Sequence, residues 1–116
     1  MGGEAASSVR IFKRDECLRS IQQGDMSMRV LYDDDQLEVL IIEVAPRSSI
    51  EEPYLWSDPS MHVIVQGEVV FEKRDRSYHL VRGDSIWLGN EEPYRVLNLD
   101  QIKARLYSLL FREARP

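Results

Sequence analysis

Two side chains in the second half of the chain could carry acid–base chemistry. His62 lies in the apolar stretch 61–65, and Tyr94 lies at the start of a later apolar stretch. An imidazole can exchange a proton near neutral pH, and a tyrosine hydroxyl can act as its partner. We weigh this catalytic role of His62 and Tyr94 against a structural one, in which His62 is an interior histidine held by hydrogen bonds.

Metal chemistry has little support in the residue spacing. The three aspartates at 33–35 lack the ligand spacing of a calcium loop, so a solvated turn is the better interpretation. A site shared by His62 and His79 would need both imidazoles inside the fold and close together. Cys17 stands alone, without a surrounding nucleophile motif. We therefore predict no metal ligands and no cofactor.

Bulk composition limits the class of protein. The chain has 116 residues, 43% hydrophobic and 30% charged, with a formal net charge of −5. These values fit one globular domain and argue against nucleic-acid binding, which needs a basic face. No apolar run approaches the length of a membrane span, so we expect no membrane partner. One cysteine permits no internal disulfide, which favours a cytoplasmic location. We assign residues 1–8 to a flexible tail and 9–116 to a single domain.

Short apolar stretches separated by glycine, proline and acidic residues predict an all-β barrel. The stretches 28–32, 37–45, 61–65, 69–72, 78–81, 85–88, 94–97 and 103–111 have the length and β-branched content of strands. Near the N-terminus, Asp15 is a possible helix N-cap and Gly24 a stop, with Leu18 and Ile21 on one face. The pattern predicts one short N-terminal helix beside the barrel.

The second half of the chain resembles the cupin family of small jelly-roll barrels. The second cupin motif runs glycine, five residues, proline, one residue, glycine, two residues, histidine, three residues, asparagine. Gly83 takes the first glycine, Gly89 the proline, Glu91 the second glycine and Tyr94 the histidine, and Asn98 keeps the asparagine. Every spacing is retained, so the resemblance implies a cupin-type jelly-roll β-barrel.

The ligand positions of the first cupin motif hold none of the family's metal-binding residues. With Gly67 as the anchor, the glutamate position falls on Ser60 and the histidine pair on Tyr54 and Trp56. The register could also lie one residue earlier, which would place the pair on Pro53 and Leu55. Cupin metals are held by histidines and a glutamate, whereas neutral tyrosine, tryptophan and serine are poor ligands. The resemblance therefore implies a barrel without a metal.

Strand periodicity predicts which side chains face the interior of that barrel. Successive residues of a strand point to opposite faces, so one parity of each strand should line the cavity. An apolar wall with a few polar groups suits a small organic ligand. The predicted ligand-binding residues are Tyr54, Trp56, Ser60, His62, Ile64, Tyr94, Val96 and Asn98.

Three functions fit such a barrel. The first is binding of a small organic molecule, as a regulatory or accessory protein. The second is a metal-independent isomerase, epimerase or lyase that uses His62 and Tyr94 as acid and base. The third is a non-catalytic interaction protein with a filled barrel. In each case Trp87, which has outward parity, is expected to help form a homodimer.

Overall fold

The computed structural model describes residues 9–51, 58–89 and 93–112, and every regular element in these ranges is a β-strand. The predicted all-β class is thus confirmed. The ten strands are β1 (Arg19–Gln23), β2 (Met26–Asp33), β3 (Leu37–Val44), β4 (Ser48–Glu51), β5 (Ser60–Gln66), β6 (Glu68–Lys73), β7 (Arg76–Val81), β8 (Ser85–Leu88), β9 (Arg95–Asn98) and β10 (Ala104–Phe111).

The strands form two antiparallel sheets that pack face to face. The six-stranded sheet has the order β1-β2-β3-β10-β5-β8, and the four-stranded sheet has the order β4-β9-β6-β7. Sequence neighbours β3 and β4 lie in different sheets, and so do β5 and β6. The chain therefore crosses repeatedly between the sheets and encloses a single core.

Alternation of side chains builds that core from one face of each sheet. Along β3 the burial alternates at every residue, with Leu40, Ile42 and Val44 inside. β2 contributes methionines and a valine at the same parity, and β10 contributes alanine and leucines. Glu38 is buried at the same parity near the start of β3, where two arginines pair with it. The other charged side chains near the middle of these strands lie on the opposite faces, so a slip by one residue would bury more charge.

The predicted N-terminal helix is wrong. Residues 19–23 form β1, which pairs with β2 from Arg19 opposite Val30 to Gln23 opposite Met26. Gly24 has a φ of 56° and, with Asp25, makes the two-residue turn of this hairpin. A helix of about ten residues is marginal alone, whereas the β1–β2 ladder satisfies its backbone groups against a sheet that already exists.

One further detail differs from the sequence pattern. No strand is predicted in residues 46–60, but Ser48–Glu51 forms β4 and pairs with β9. Inward-facing Ser48 and Ile50 are buried, so even this four-residue strand alternates between the two faces. No helix in the described ranges is long and apolar enough to cross a membrane.

Candidate functional site

The inward faces of β5 and β9 bring most of the predicted site residues into the barrel. Ser60, His62 and Ile64 on β5 are between 0% and 2% exposed. Tyr94, which directly precedes β9, and Val96 and Asn98 on β9 are similarly buried. Tyr54 and Trp56 lie outside the described residues.

His62 is the centre of a buried chain of hydrogen bonds. Its Nε2 atom is 2.9 Å from Ser60 Oγ, and its Nδ1 atom is 2.6 Å from Ser108 Oγ. A neutral imidazole has one donor and one acceptor nitrogen. One serine hydroxyl therefore accepts a hydrogen bond from the ring, and the other donates a hydrogen bond to it. Both ring nitrogens thus have a hydrogen-bond partner inside the barrel.

Burial keeps the His62 ring neutral. Removal from water disfavours the imidazolium form and lowers the pKa of His62 to about 4. The His62 ring also packs against Phe71, with 5.4 Å between the ring centroids. A general base works best when its pKa lies near the working pH, so this environment suits a structural histidine.

Tyr94 packs against Phe71, the same aromatic ring that contacts His62. Its ring is 5.8 Å from the Phe71 ring, centroid to centroid. Burial raises the pKa of the Tyr94 hydroxyl to about 12, and the nearby Ser60 hydroxyl opposes that rise in part. The Ser60 hydroxyl lies near enough to affect the Tyr94 hydroxyl, but the geometry completes no hydrogen bond between this buried hydroxyl and any described residue. At neutral pH it is therefore a protonated donor without an acceptor among the described residues.

A small cavity lies between the two sheets where these rings meet. Its volume is about 10 Å³, which is about the space of one water molecule. Among the described residues, hydrocarbon side chains make up most of the wall, and none of the lining side chains is charged. They are Met26, Ile42, Val44, His62, Phe71, Tyr94, Val96 and Leu106.

Tyr94 also lines a second space, which lies on the surface. This depression of about 290 Å³ is bordered in addition by Pro93 and by four charged side chains. Two of these, Glu72 and Arg95, form an ion pair, and Glu51 lies 3.7 Å from Arg95. Tyr94 is thus shared by a polar depression and an apolar cavity.

The side chain of Asn98 forms hydrogen bonds with the backbone. Its side-chain amide donates to the carbonyl oxygens of Val44 at 3.1 Å and Ile102 at 2.9 Å. Its side-chain oxygen accepts from the backbone N–H of Asp100 at 3.0 Å. Asn98 therefore fixes the turn between β9 and β10, and its polar atoms are directed at backbone rather than at the cavity.

The second histidine of the chain is on the surface. His79 on β7 is exposed, and its Nε2 atom lies 3.0 Å from the Glu68 carboxylate. His62 is buried in the barrel, so the two imidazoles do not share a site. In the described ranges, no three histidine, cysteine or acidic side chains are grouped as metal ligands would be.

Two residues of the interior were not identified from the sequence. Ser108 is the only polar residue at inward parity on β10, where the stretch Leu106–Leu110 otherwise alternates apolar and outward side chains. That single hydroxyl in an apolar strand was the available signal. Phe71, which contacts both His62 and Tyr94, reads as an ordinary core residue until the register of β6 against β9 is known.

Comparison with known proteins identifies the fold. No family model and no curated protein matches the sequence. Among solved structures, a Cupin 2 conserved barrel domain protein from Salinispora arenicola is similar with a TM-score of 0.76 and 15% identity, over 92% of this chain and 91% of that one. The polyketide cyclase RemF from Streptomyces resistomycificus is similar with a TM-score of 0.70 and 18% identity, over 91% and 83%.

A third similar structure is the Cupin_2 domain of an XRE family transcriptional regulator from Enterobacter cloacae. Its TM-score is 0.67 at 18% identity, and the match covers 78% of this chain and 99% of that domain. Identities this low establish architecture and leave activity open. The motif spacing, the two-sheet topology and these three similarities agree, and the chain has the cupin jelly-roll fold.

Proposed function

We propose that the protein is a metal-free binding barrel for a small, neutral organic molecule, and that it acts as a regulatory or accessory protein. The observation that carries this proposal is the Tyr94 hydroxyl, which is buried and has no hydrogen-bond partner among the described residues. Buried polar groups in folded proteins nearly always have a partner, so an unpartnered one needs an explanation. A ligand with a hydrogen-bond acceptor would supply it.

A trapped water is a weaker explanation. A buried water makes about three hydrogen bonds, whereas the cavity wall is mostly hydrocarbon. Both nitrogens of His62 are already bonded to serines. The unpaired Tyr94 hydroxyl therefore costs the empty barrel about 1–3 kcal/mol. A ligand oxygen or nitrogen that accepts from Tyr94 would recover this free energy on binding.

The geometry around Tyr94 suggests how a ligand enters. The inner cavity is too small for an organic molecule, but the outer depression of about 290 Å³ shares Tyr94 as a wall. Rotation of the Tyr94 side chain would join the two spaces into one. Their combined volume would be close to the lower limit for small-molecule sites, about 300 Å³. The inner end carries no charge, so the buried part of the ligand should be neutral.

The two rival functions make different demands on the same residues. A filled-barrel interaction protein is favoured by the small cavity volume of about 10 Å³. An isomerase, epimerase or lyase would use His62 and Tyr94 as acid and base, but their pKa values of about 4 and about 12 are both far from neutral. Binding without catalysis requires neither group to ionise.

The similar structures support a binding role by analogy alone. They include the Cupin_2 domain of an XRE family regulator and a polyketide cyclase, so the fold occurs both in regulation and in enzymes. We further propose that the barrel is a homodimer, in which the half-exposed Trp87 becomes covered. The single Cys17 suits a cytoplasmic location, where thiols remain reduced.

Ligand binding is tested by thermal shift and calorimetry with three probes of similar size: acetophenone, benzene and benzoate. Acetophenone offers a neutral acceptor, benzene offers none, and benzoate is charged. We expect acetophenone to bind most tightly, and Tyr94→Phe to weaken its binding about tenfold while leaving benzene binding nearly unchanged.

The matched control is Tyr78→Phe, which removes the same hydroxyl from the exposed strand β7. This variant should bind all three probes as the unsubstituted protein does. Binding of none of the probes would overturn the proposal in favour of the filled barrel. Equal acetophenone affinity in Tyr94→Phe would remove Tyr94 from the site.

A further inference from the structure

A groove on the outer face of the six-stranded sheet has the size and the lining of a small-molecule site. Its volume is about 560 Å³, which falls within the usual range for such sites. Side chains of β2, β3 and β10 line it, together with Lys103, which precedes β10, and with Arg14 and Asp15, which precede β1. The neutral ligand proposed above would lie inside the barrel, so that proposal makes no use of this groove.

The floor of the groove is a row of paired residues across three strands. Ile41 on β3 stands opposite Arg29 on β2 on one side and opposite Tyr107 on β10 on the other. Cross-strand partners on one face lie about 5 Å apart, so the three side chains are immediate neighbours. Tyr107 is 51% exposed, although β10 lies between β3 and β5. Its ring and the Ile41 side chain offer an apolar surface on which an aromatic ligand can stack.

The next row along the same strands holds two positive charges beside this floor. Arg105 stands opposite Glu43 and lies two residues from Tyr107, on the same face of β10. The two oxygens of Glu43 bind Lys103 at 3.3 Å and Arg105 at 2.8 Å. One carboxylate thus positions two cationic side chains at the edge of the groove.

The segment before β1 brings a further cation to the β2 side of the groove. Residues 13–16 form a closed turn, in which the backbone N–H of Glu16 donates to the Lys13 carbonyl oxygen at 2.9 Å. The Glu16 carboxylate in turn accepts from the Lys13 N–H at 2.8 Å. The Arg29 guanidinium donates to the Arg14 carbonyl oxygen at 2.5 Å, which ties this turn to the outer face of β2.

The groove has a surplus of positive charge although the chain as a whole is acidic. Among the described residues, four cationic and two anionic side chains line it, so two positive charges are in excess. The formal net charge of the whole chain is −5. A concave surface with a surplus of one sign concentrates ligands of the opposite charge.

From these features we infer that the groove binds an aromatic phosphate monoester, as a second ligand site apart from the barrel interior. A phosphate monoester carries a charge of about −1.5 to −2 at pH 7 and three acceptor oxygens. This charge matches the surplus in the groove, and the oxygens suit the forked N–H donors of arginine. The aromatic part would stack on Tyr107 and Ile41. The barrel interior and the groove would then select ligands of opposite character, one neutral and one anionic.

Isothermal titration calorimetry at low ionic strength with phenyl phosphate and inorganic phosphate tests this inference. Phenyl phosphate should bind at least tenfold more tightly than inorganic phosphate, because only the former can stack on the floor of the groove. Added sodium chloride should weaken binding of both anions, since the groove is open to solvent. No binding of phenyl phosphate, or equal affinity for the two anions, would overturn the inference.

Two substitutions assign the binding to the groove. Arg29→Gln should weaken phenyl phosphate binding about tenfold, because it removes a charged donor but keeps an N–H group for the Arg14 carbonyl oxygen. Tyr107→Leu should weaken phenyl phosphate binding about fivefold and leave inorganic phosphate binding unchanged. The matched controls are Arg76→Gln and Tyr78→Leu on β7 of the other sheet, which should bind both anions as the unsubstituted protein does.

Unchanged phenyl phosphate affinity in Arg29→Gln, or an equal loss in Arg76→Gln, would contradict a site in the groove. Circular dichroism melting shows whether each variant is folded. Should Arg29→Gln fail to fold, Lys103→Gln provides the same test, because it removes a half-exposed cation from the other side of the groove.

The barrel variant separates this inference from the proposed function. Tyr94→Phe should bind phenyl phosphate normally, and Arg29→Gln should bind acetophenone normally, because the two sites share no residue. Phenyl phosphate binding that is lost in Tyr94→Phe but retained in Arg29→Gln would place the anion in the barrel and overturn the inference.

Discussion

The neutral His62, whose two ring nitrogens are both hydrogen-bonded, should make the stability of the protein depend on pH in a predictable way. The unfolded chain has an ordinary histidine pKa of about 6.5, whereas burial lowers the pKa of His62 in the fold to about 4. Between these values the unfolded state binds the proton and the folded state does not. The contribution of His62 is therefore present above pH 6.5 and is lost as the pH falls toward 4.

The size of this effect follows from the two pKa values. A difference of two and a half pKa units corresponds to about 3 kcal/mol, of which about 2 kcal/mol is lost by pH 5. Urea unfolding at pH 7.5 and pH 5 measures the loss. Carboxylates also titrate in this range, so the comparison must be made with His62→Gln, which retains hydrogen-bonding capacity for Ser60 and Ser108 but cannot ionise.

We expect His62→Gln to lose about 2 kcal/mol less than the unsubstituted protein between these two pH values. His79→Gln, at the exposed histidine, retains His62 and should retain the full acid-side loss. Equal losses in the unsubstituted protein and in His62→Gln would refute the reasoning. If His62→Gln does not fold, NMR titration of the two imidazoles gives the same answer, because the His62 resonance should not move between pH 7.5 and pH 5.5.

Four further substitutions test the packing of the barrel, each by urea unfolding at neutral pH. Tyr94→Phe should stabilise the ligand-free protein by about 1 kcal/mol, since it removes an unpartnered buried hydroxyl; a loss of stability would mean that the hydroxyl has a partner. Gly67→Ala should cost at least about 2 kcal/mol, because φ is 75° and an added Cβ would lie 3.0 Å from the Lys103 carbonyl oxygen. Gly83→Ala also has a positive φ but meets open space, so it should cost about 1 kcal/mol, and equal costs would contradict the crowding at Gly67. Asn98→Ala should cost about 3 kcal/mol, because it leaves two buried carbonyls without their donor; a cost below about 1 kcal/mol would mean that water replaces the amide.

The regular strands could be predicted because their signal is local. β3 alternates apolar and outward residues over its whole length, and β5 and β10 carry enough β-branched and apolar side chains to exclude a surface loop. The inward parity of His62 follows from the same alternation, once the residues around it are read as a strand.

The short elements could not be predicted because their signal is ambiguous. Leu18 and Ile21 are three residues apart, which fits one helical face, and the competing β1–β2 hairpin depends on pairing with a strand outside that window. β4 has only four residues and follows Pro46, so nothing local distinguishes it from the loop around it. In both cases the sheet supplies hydrogen bonds that no sequence window contains.

The positions of the site residues could be predicted from the sequence, but their hydrogen-bond partners could not. Ser60, His62 and Tyr94 could be assigned to the interior from periodicity and motif spacing. The partner of His62 on the far side is Ser108, 46 residues away, and that contact depends on the register between β5 and β10. The hydrogen-bonded chain around the histidine is therefore a tertiary property.

Whether the barrel holds a metal distinguishes the proposed binding barrel from a metalloenzyme. Elemental mass spectrometry of the protein, purified after growth with iron, manganese, nickel and zinc available, tests it most directly. With both nitrogens of His62 bonded to serines, we predict far less than one metal ion per chain. Close to one tightly held ion per chain, lost in His62→Ala, would contradict the account.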